Sequence, residues 1–171
     1  MKGKILLLSL IVLTFLLINM GFAFQNEPDG FRRFEWGNLP TEDMTFLGII
    51  GEGAKAYGLL GEKLQIGDAY LYAIIYIFSQ TDRIEKLTMV TLSFKNEDNY
   101  NILETICRGR FGEPTGKRFY ELYWEGSRTT IVLQYDMIEE EGTLALCSTL
   151  LVTELQKAQQ RKQIERAEED W

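Results

Sequence analysis

Two apolar runs stand in the middle of the chain, Ala69 to Ser79 (AYLYAIIYIFS) and Ile84 to Phe94 (IEKLTMVTLSF), with only Gln80 to Arg83 between them. So short a gap joins antiparallel strands, because a parallel crossover needs a dozen residues or more. Side chains alternate across a strand. Tyr70, Tyr72, Ile74, Tyr76 and Phe78 therefore share one face, and Ala69, Leu71, Ala73, Ile75 and Ile77 share the other. Both faces are apolar, which places the hairpin inside a sheet covered on both sides or in a sheet with an aromatic surface.

The flanks extend this frame. Phe31 to Trp36 reads as a short first strand. Between residues 46 and 67, apolar pieces alternate with turn glycines, the pattern of further short strands. After the hairpin, Asn96 can cap a helix whose first turn holds Glu97 and Asp98. Leu103, Ile106, Cys107 and Phe111 form its apolar stripe, and Gly112 with Pro114 ends it. Three more strands follow: Phe119 to Trp124, Thr129 to Met137 and Thr143 to Leu150. Residues 151–171 contain no Gly or Pro and read as a polar helix with a thin stripe through Leu151, Leu155, Ala158, Ile164, Ala167 and Trp171. Strands in runs, rather than in strict alternation with helices, give an α+β fold with a mainly antiparallel sheet, one helix packed on it and a polar C-terminal helix.

The first 23 residues carry an address. Lys2 and Lys4 precede 14 residues of apolar run, Ile5 to Ile18, and Gly21-Phe22-Ala23 offers small residues for a cut after Ala23. This is the layout of a secretory signal peptide; retained, the segment is just long enough for a membrane anchor. The organisation read from sequence is a signal peptide over 1–23, a linker over 24–30, one α+β domain over 31–150 and a helix over 151–171. The expected location is periplasmic or secreted, or membrane-anchored if the segment stays attached.

Composition narrows the chemistry. The chain has 18 Lys+Arg against 25 Asp+Glu, a net charge of −7, and no histidine. An acidic chain lacks the basic footprint of a nucleic-acid binder and is repelled by anionic lipid. Without histidine there is no Ser-His or Cys-His pair and no common zinc site, so no catalytic residue, metal ligand or cofactor is assigned. Glu139, Glu140 and Glu141 beside Asp136 offer oxygens for Ca²⁺ but match no calcium-loop spacing and read as a charged hairpin tip. Cys107 and Cys147, in an exported chain, leave open a disulfide or two buried thiols. Trp36, Tyr70, Tyr72, Tyr76 and Trp124 are candidates for an aromatic ligand platform, with core packing as the alternative.

Gly30-Phe31-Arg32-x-x-x-Trp36-Gly37, Leu64-x-Ile66-Gly67, the Phe111-Gly112-x-Pro114 helix end, Leu122-Tyr123-Trp124 and Gly142-Thr143-Leu144 together resemble a group of small exported bacterial proteins of uncharacterised function. The similarity runs over most of residues 30–150 and departs at Leu122, where the group carries tyrosine. It implies an envelope or secreted α+β domain and no activity. The expected function is therefore non-catalytic binding of an envelope protein or a small ligand. A hydrolase using carboxylates and a membrane-anchored accessory subunit are the alternatives.

Overall fold

The computed structural model describes residues 24–51, 54–81 and 84–169. The expected signal peptide, the Asp82-Arg83 hairpin tip and Trp171 lie outside them. Phe31 to Trp36 is not one strand but a tight hairpin of β1 (Gly30–Phe31) and β2 (Phe34–Glu35), with Arg32 left-handed at φ 56°. Next come β3 (Met44–Ile50), β4 (Ala54–Leu59), β5 (Gln65–Ile66), β6 (Ala69–Tyr70), β7 (Ala73–Thr81) and β8 (Ile84–Lys95). Helix α1 (Glu97–Phe111) leads to β9 (Gly116–Arg118), β10 (Glu121–Glu125), β11 (Thr129–Asp136), β12 (Glu141–Ser148) and helix α2 (Thr149–Glu169). The fold is α+β, dominated by one eight-stranded sheet in the order β3-β4-β7-β8-β12-β11-β10-β9, antiparallel throughout. The chain leaves β8 near the middle, crosses one face as α1, and returns from the far edge by a meander that ends with β12 beside β8.

The run from Ala69 to Ser79 is two strands. Gly67, at φ 55°, closes a small hairpin in which Gln65 faces Tyr70 and Ile66 faces Ala69. The Leu71 N–H then bonds Leu64 O at 3.1 Å, the Tyr72 N–H bonds Ser93 O of β8 at 2.9 Å, and β7 of the large sheet begins at Ala73. The displaced hairpin is tied to α1, where the buried Asn99 side chain accepts the Tyr70 N–H at 2.8 Å. Helix α1 is capped by Asn96, whose side chain accepts from the Asn99 N–H, and closes at Gly112, φ 82°, whose N–H bonds Arg108 O at 2.9 Å. Tyr100, Leu103, Cys107 and Phe111 are its buried stripe.

That stripe packs on Ile74, Tyr76 and Phe78 of β7, Val90, Leu92 and Phe94 of β8, Leu144 and Leu146 of β12, and Ile131 and Leu133 of β11, all in one core. The opposite face carries Ile75, Ile77, Met89, Val132, Ala145 and Cys147, all only partly buried. The Gln25–Gly30 leader is no linker. Phe24 packs edge-on to Phe111 at 5.6 Å, the Gln25 N–H bonds Phe111 O, and Asn26 reaches Arg110 O. Glu27, with its side chain 3% exposed, accepts the N–H groups of Arg128 and Thr129 and the Ser127 hydroxyl. Helix α2 starts at the same corner, with Thr149 N–H on Arg128 O, and is exposed from Gln156 onward wherever its side chains are described.

Candidate functional site

The five aromatic candidates do not form one platform. Tyr76 and Trp124 are fully buried. The Tyr76 ring meets Phe34 at 5.1 Å, and its hydroxyl donates to Glu62, which also receives Arg32 at 2.6 Å. Trp124 donates its indole N–H to Gly112 O at 2.9 Å and so ties β10 to the end of α1. Trp36 donates to the Thr129 hydroxyl at 2.7 Å. These three are structural. Tyr70 and Tyr72 are exposed: Tyr70 lies in the separate β5–β6 hairpin, and Tyr72, whose N–H bonds Ser93 O of β8 at 2.9 Å, stands at the join to β7 with its side chain turned outward.

Cys107 and Cys147 are free thiols. Cys107 faces the sheet from α1, whereas Cys147 alternates with the core residues Leu144 and Leu146 and so points to the other face. The disulfide is thereby removed. Burial pushes the Cys107 thiol up to about 12, an effect that the nearby Arg110 charge partly offsets. Burial likewise raises Cys147. Thiols held this way carry no thiolate near neutral pH and are poor nucleophiles. At the acidic tip, Asp136 accepts the N–H groups of Ile138 and Glu139 at 2.8 and 3.2 Å, and Glu141 pairs with Lys95 at 3.2 Å. Its carboxylates thus serve the turn, and among the described residues no group of three or more His, Cys, Asp or Glu is placed to hold a metal ion.

Two concavities stand out among the described residues. The first, about 550 Å³, lies between α1, the β1–β2 hairpin and the sheet. Phe31, Phe34, Leu103, Ile106, Ile131 and Leu146 form its apolar walls, Cys107 contributes a protonated thiol, and Asp29, Arg32, Glu35, Gln65 and Arg110 supply its polar groups. Arg32 is committed to Glu62 and to the carbonyls of Lys63 and Gln65. The Arg110 guanidinium lies 5.5 Å from the Phe111 ring centre and makes no ion pair among the described residues. The apolar stripe of α1 is core, as its spacing predicts. Arg108 pairs with Glu104 and Glu113, while Arg110, two residues on, is exposed and lines the cavity.

The second concavity, about 620 Å³, is an open cleft at the end of β10, β11 and β12. Tyr72, Phe119, Met137 and Ile138 project into it, and Tyr100, Tyr120 and Tyr135 cluster below with ring centres 5.8–6.0 Å apart. The field there is negative. The Tyr120 hydroxyl is raised by the charge of Glu97 and its hydrogen bond to it, and Tyr135 is raised by desolvation and then by Glu140, Glu97 and Asp136. Phe119, Met137 and Ile138 escaped notice in the sequence. Large apolar residues inside charged turn segments, Phe119 after Lys117-Arg118 and Met137-Ile138 between Asp136 and Glu139, were the available signal. The chain matches no protein-family model, no curated protein and no solved structure, so function is argued from these residues alone.

Proposed function

We propose that the protein is an exported, non-catalytic binding protein whose ligand is an elongated apolar molecule with an anionic head, held between α1 and the sheet. The observation that carries this reading is the pairing of an apolar cavity of about 550 Å³ with an Arg110 guanidinium at its lining that no described carboxylate neutralises. Ligand cavities of this size, with mainly apolar walls and a few polar groups that fix orientation, are the usual form of small-molecule sites. The hydrocarbon body would lie against Phe31, Leu103, Ile106 and Leu146 while a carboxylate accepts from Arg110, a geometry suited to guanidinium. The Cys107 thiol, held protonated in the wall, supports binding over chemistry.

The test is a titration of the full-length chain with a fluorescent fatty acid, and with its alcohol analogue. Saturable single-site binding is expected for the acid. Arg110→Gln should weaken it by about tenfold or more, since a hydrogen bond to a charged group contributes about 1.5–3 kcal/mol, and should leave the alcohol unchanged. Ile106→Trp, which fills the cavity from a half-buried position, should abolish both. Undiminished binding in Ile106→Trp, or no saturable binding at all, overturns the reading.

A further inference from the structure

The cleft at the end of β10–β12 shares no lining residue with the cavity under α1. Its floor is aromatic and its projecting side chains are apolar: Phe119 is 86% exposed and Ile138 90% exposed. Large apolar groups left so open, on two turns that face each other across the cleft, are costly in water unless something covers them. The rim is acidic. Glu121, Asp136 and Glu141 line it, and Glu97 reaches it through Tyr120, against Arg118 and the Lys95 already paired with Glu141. Aromatic faces attract cations through their quadrupole, and surrounding carboxylates strengthen that attraction.

The molecule contains a small version of this recognition. The Lys95 ammonium sits 5.6 Å from the Tyr72 ring centre and pairs with Glu141, while the Tyr72 hydroxyl donates to the same carboxylate at 3.3 Å. The pattern of ring, carboxylate and ammonium is built once with the chain's own lysine. The rest of the cleft offers Phe119 and Tyr120, in edge contact at 5.2 Å, with Glu121 and Asp136 beside them and Arg118 opposite Glu121 across the β9–β10 pair.

From this geometry we infer that the cleft is a docking surface for an extended basic segment of a partner protein, one that alternates arginine or lysine with apolar side chains. Basic groups would lie over the aromatic rings and against Glu121 and Asp136, and the intervening apolar groups would cover Phe119, Met137 and Ile138. The open shape and the four projecting apolar side chains suit a chain segment rather than a lone ammonium ion. A second copy of this protein is disfavoured by its own charge, −7 over the full sequence.

The test uses the full-length chain and a labelled decapeptide of alternating arginine and leucine, with an alternating glutamate–leucine decapeptide as control. The basic peptide should bind saturably, and more weakly as salt is raised. The double variant Phe119→Ser, Ile138→Ser keeps every carboxylate and removes side chains exposed enough to leave the fold untouched, which an unchanged thermal midpoint checks. It should weaken the peptide by about tenfold, because each exposed apolar or cation–π contact contributes about two- to fivefold. Equal binding by the double variant would reduce the effect to general charge attraction and overturn the inference, as would equal binding of the acidic peptide. Binding of phosphatidylcholine vesicles that the double variant abolishes, with no peptide binding, would replace the protein segment by a lipid headgroup.

Discussion

Replacement of Glu27 by alanine removes the carboxylate that holds the N-terminal leader to the β10–β11 turn. Two backbone donors, the N–H groups of Arg128 and Thr129, lose their acceptor, and Thr129 is fully buried. An orphaned buried donor costs about 1–3 kcal/mol, so leaving both in place costs about 4 kcal/mol. The protein has an escape. The leader can detach and let water reach both donors, at the expense of exposing Phe24, which is 8% exposed when packed on Phe111. Exposure of a large apolar side chain costs about 2–3 kcal/mol, and the cheaper route sets the outcome at about 3 kcal/mol. The Glu27–Arg128 ion pair adds little, since Arg128 is 54% exposed and the closest approach to Nε is 3.8 Å. Glu27→Gln keeps an oxygen for both N–H groups and should cost only about 1 kcal/mol. Urea unfolding followed by tryptophan fluorescence measures both. Gly126 provides a check, because a Cβ there would collide with the Glu27 carboxylate and lie 2.8 Å from Thr129 O. Gly126→Ala should therefore destabilise the native chain more than the Glu27→Ala variant. A Glu27→Ala midpoint equal to wild type, or equal losses for alanine and glutamine, would refute the account of this carboxylate as the anchor.

Deletion of residues 160–171 should shift the thermal midpoint by no more than about 2 °C, because the described side chains of α2 beyond Gln156 are exposed; a scanning-fluorimetry loss of many degrees would mean that they pack on a second molecule. Alkali should destabilise the fold. Burial lifts Cys107 from 9.0 and Tyr100 from 10.0 to about 12, so the folded state holds protons that the unfolded chain releases, and stability that is complete below about pH 9 falls through the window up to 12. Urea melts at pH 7, 9 and 11 check the slope. Flattening by Cys107→Ala tests its share, and denatured non-reduced protein should titrate two free thiols.

Much of the fold was legible because its signals are local. Asn96, Glu97 and Asp98 start α1, and Gly112 and Pro114 stop it, all within one stretch of chain. The alternation of Val90, Leu92 and Phe94 fixes the covered face of β8 without reference to its neighbours. Alternation says nothing of which strand a residue joins, however, so the pattern from Tyr70 to Phe78 could not show that Gly67 folds its beginning into a separate hairpin. That break decides the fate of the aromatic candidates: it leaves the Tyr70 and Tyr72 side chains exposed and Tyr76 in the core. Glu27 reads as a linker acid because its partners stand about a hundred positions further on. Arg110 reads as a surface charge because the cavity that it lines exists only once α1 lies on the sheet.

For a chain cut after Ala23, as the sequence leads one to expect, the docked leader would set a clock on biogenesis. A peptidase that cuts between Ala23 and Phe24 must grip the chain extended on both sides of the bond, and in the folded protein Phe24 and Gln25 are held against Phe111. Processing at this bond would therefore have to precede docking. The acceptor site for Glu27 is not made until Thr129 emerges, 102 residues later in the chain. At roughly 5–20 residues per second of synthesis, that separation would keep the Ala23–Phe24 bond accessible for about 5–20 s. A chain that passes this interval uncut would close its own processing site by folding.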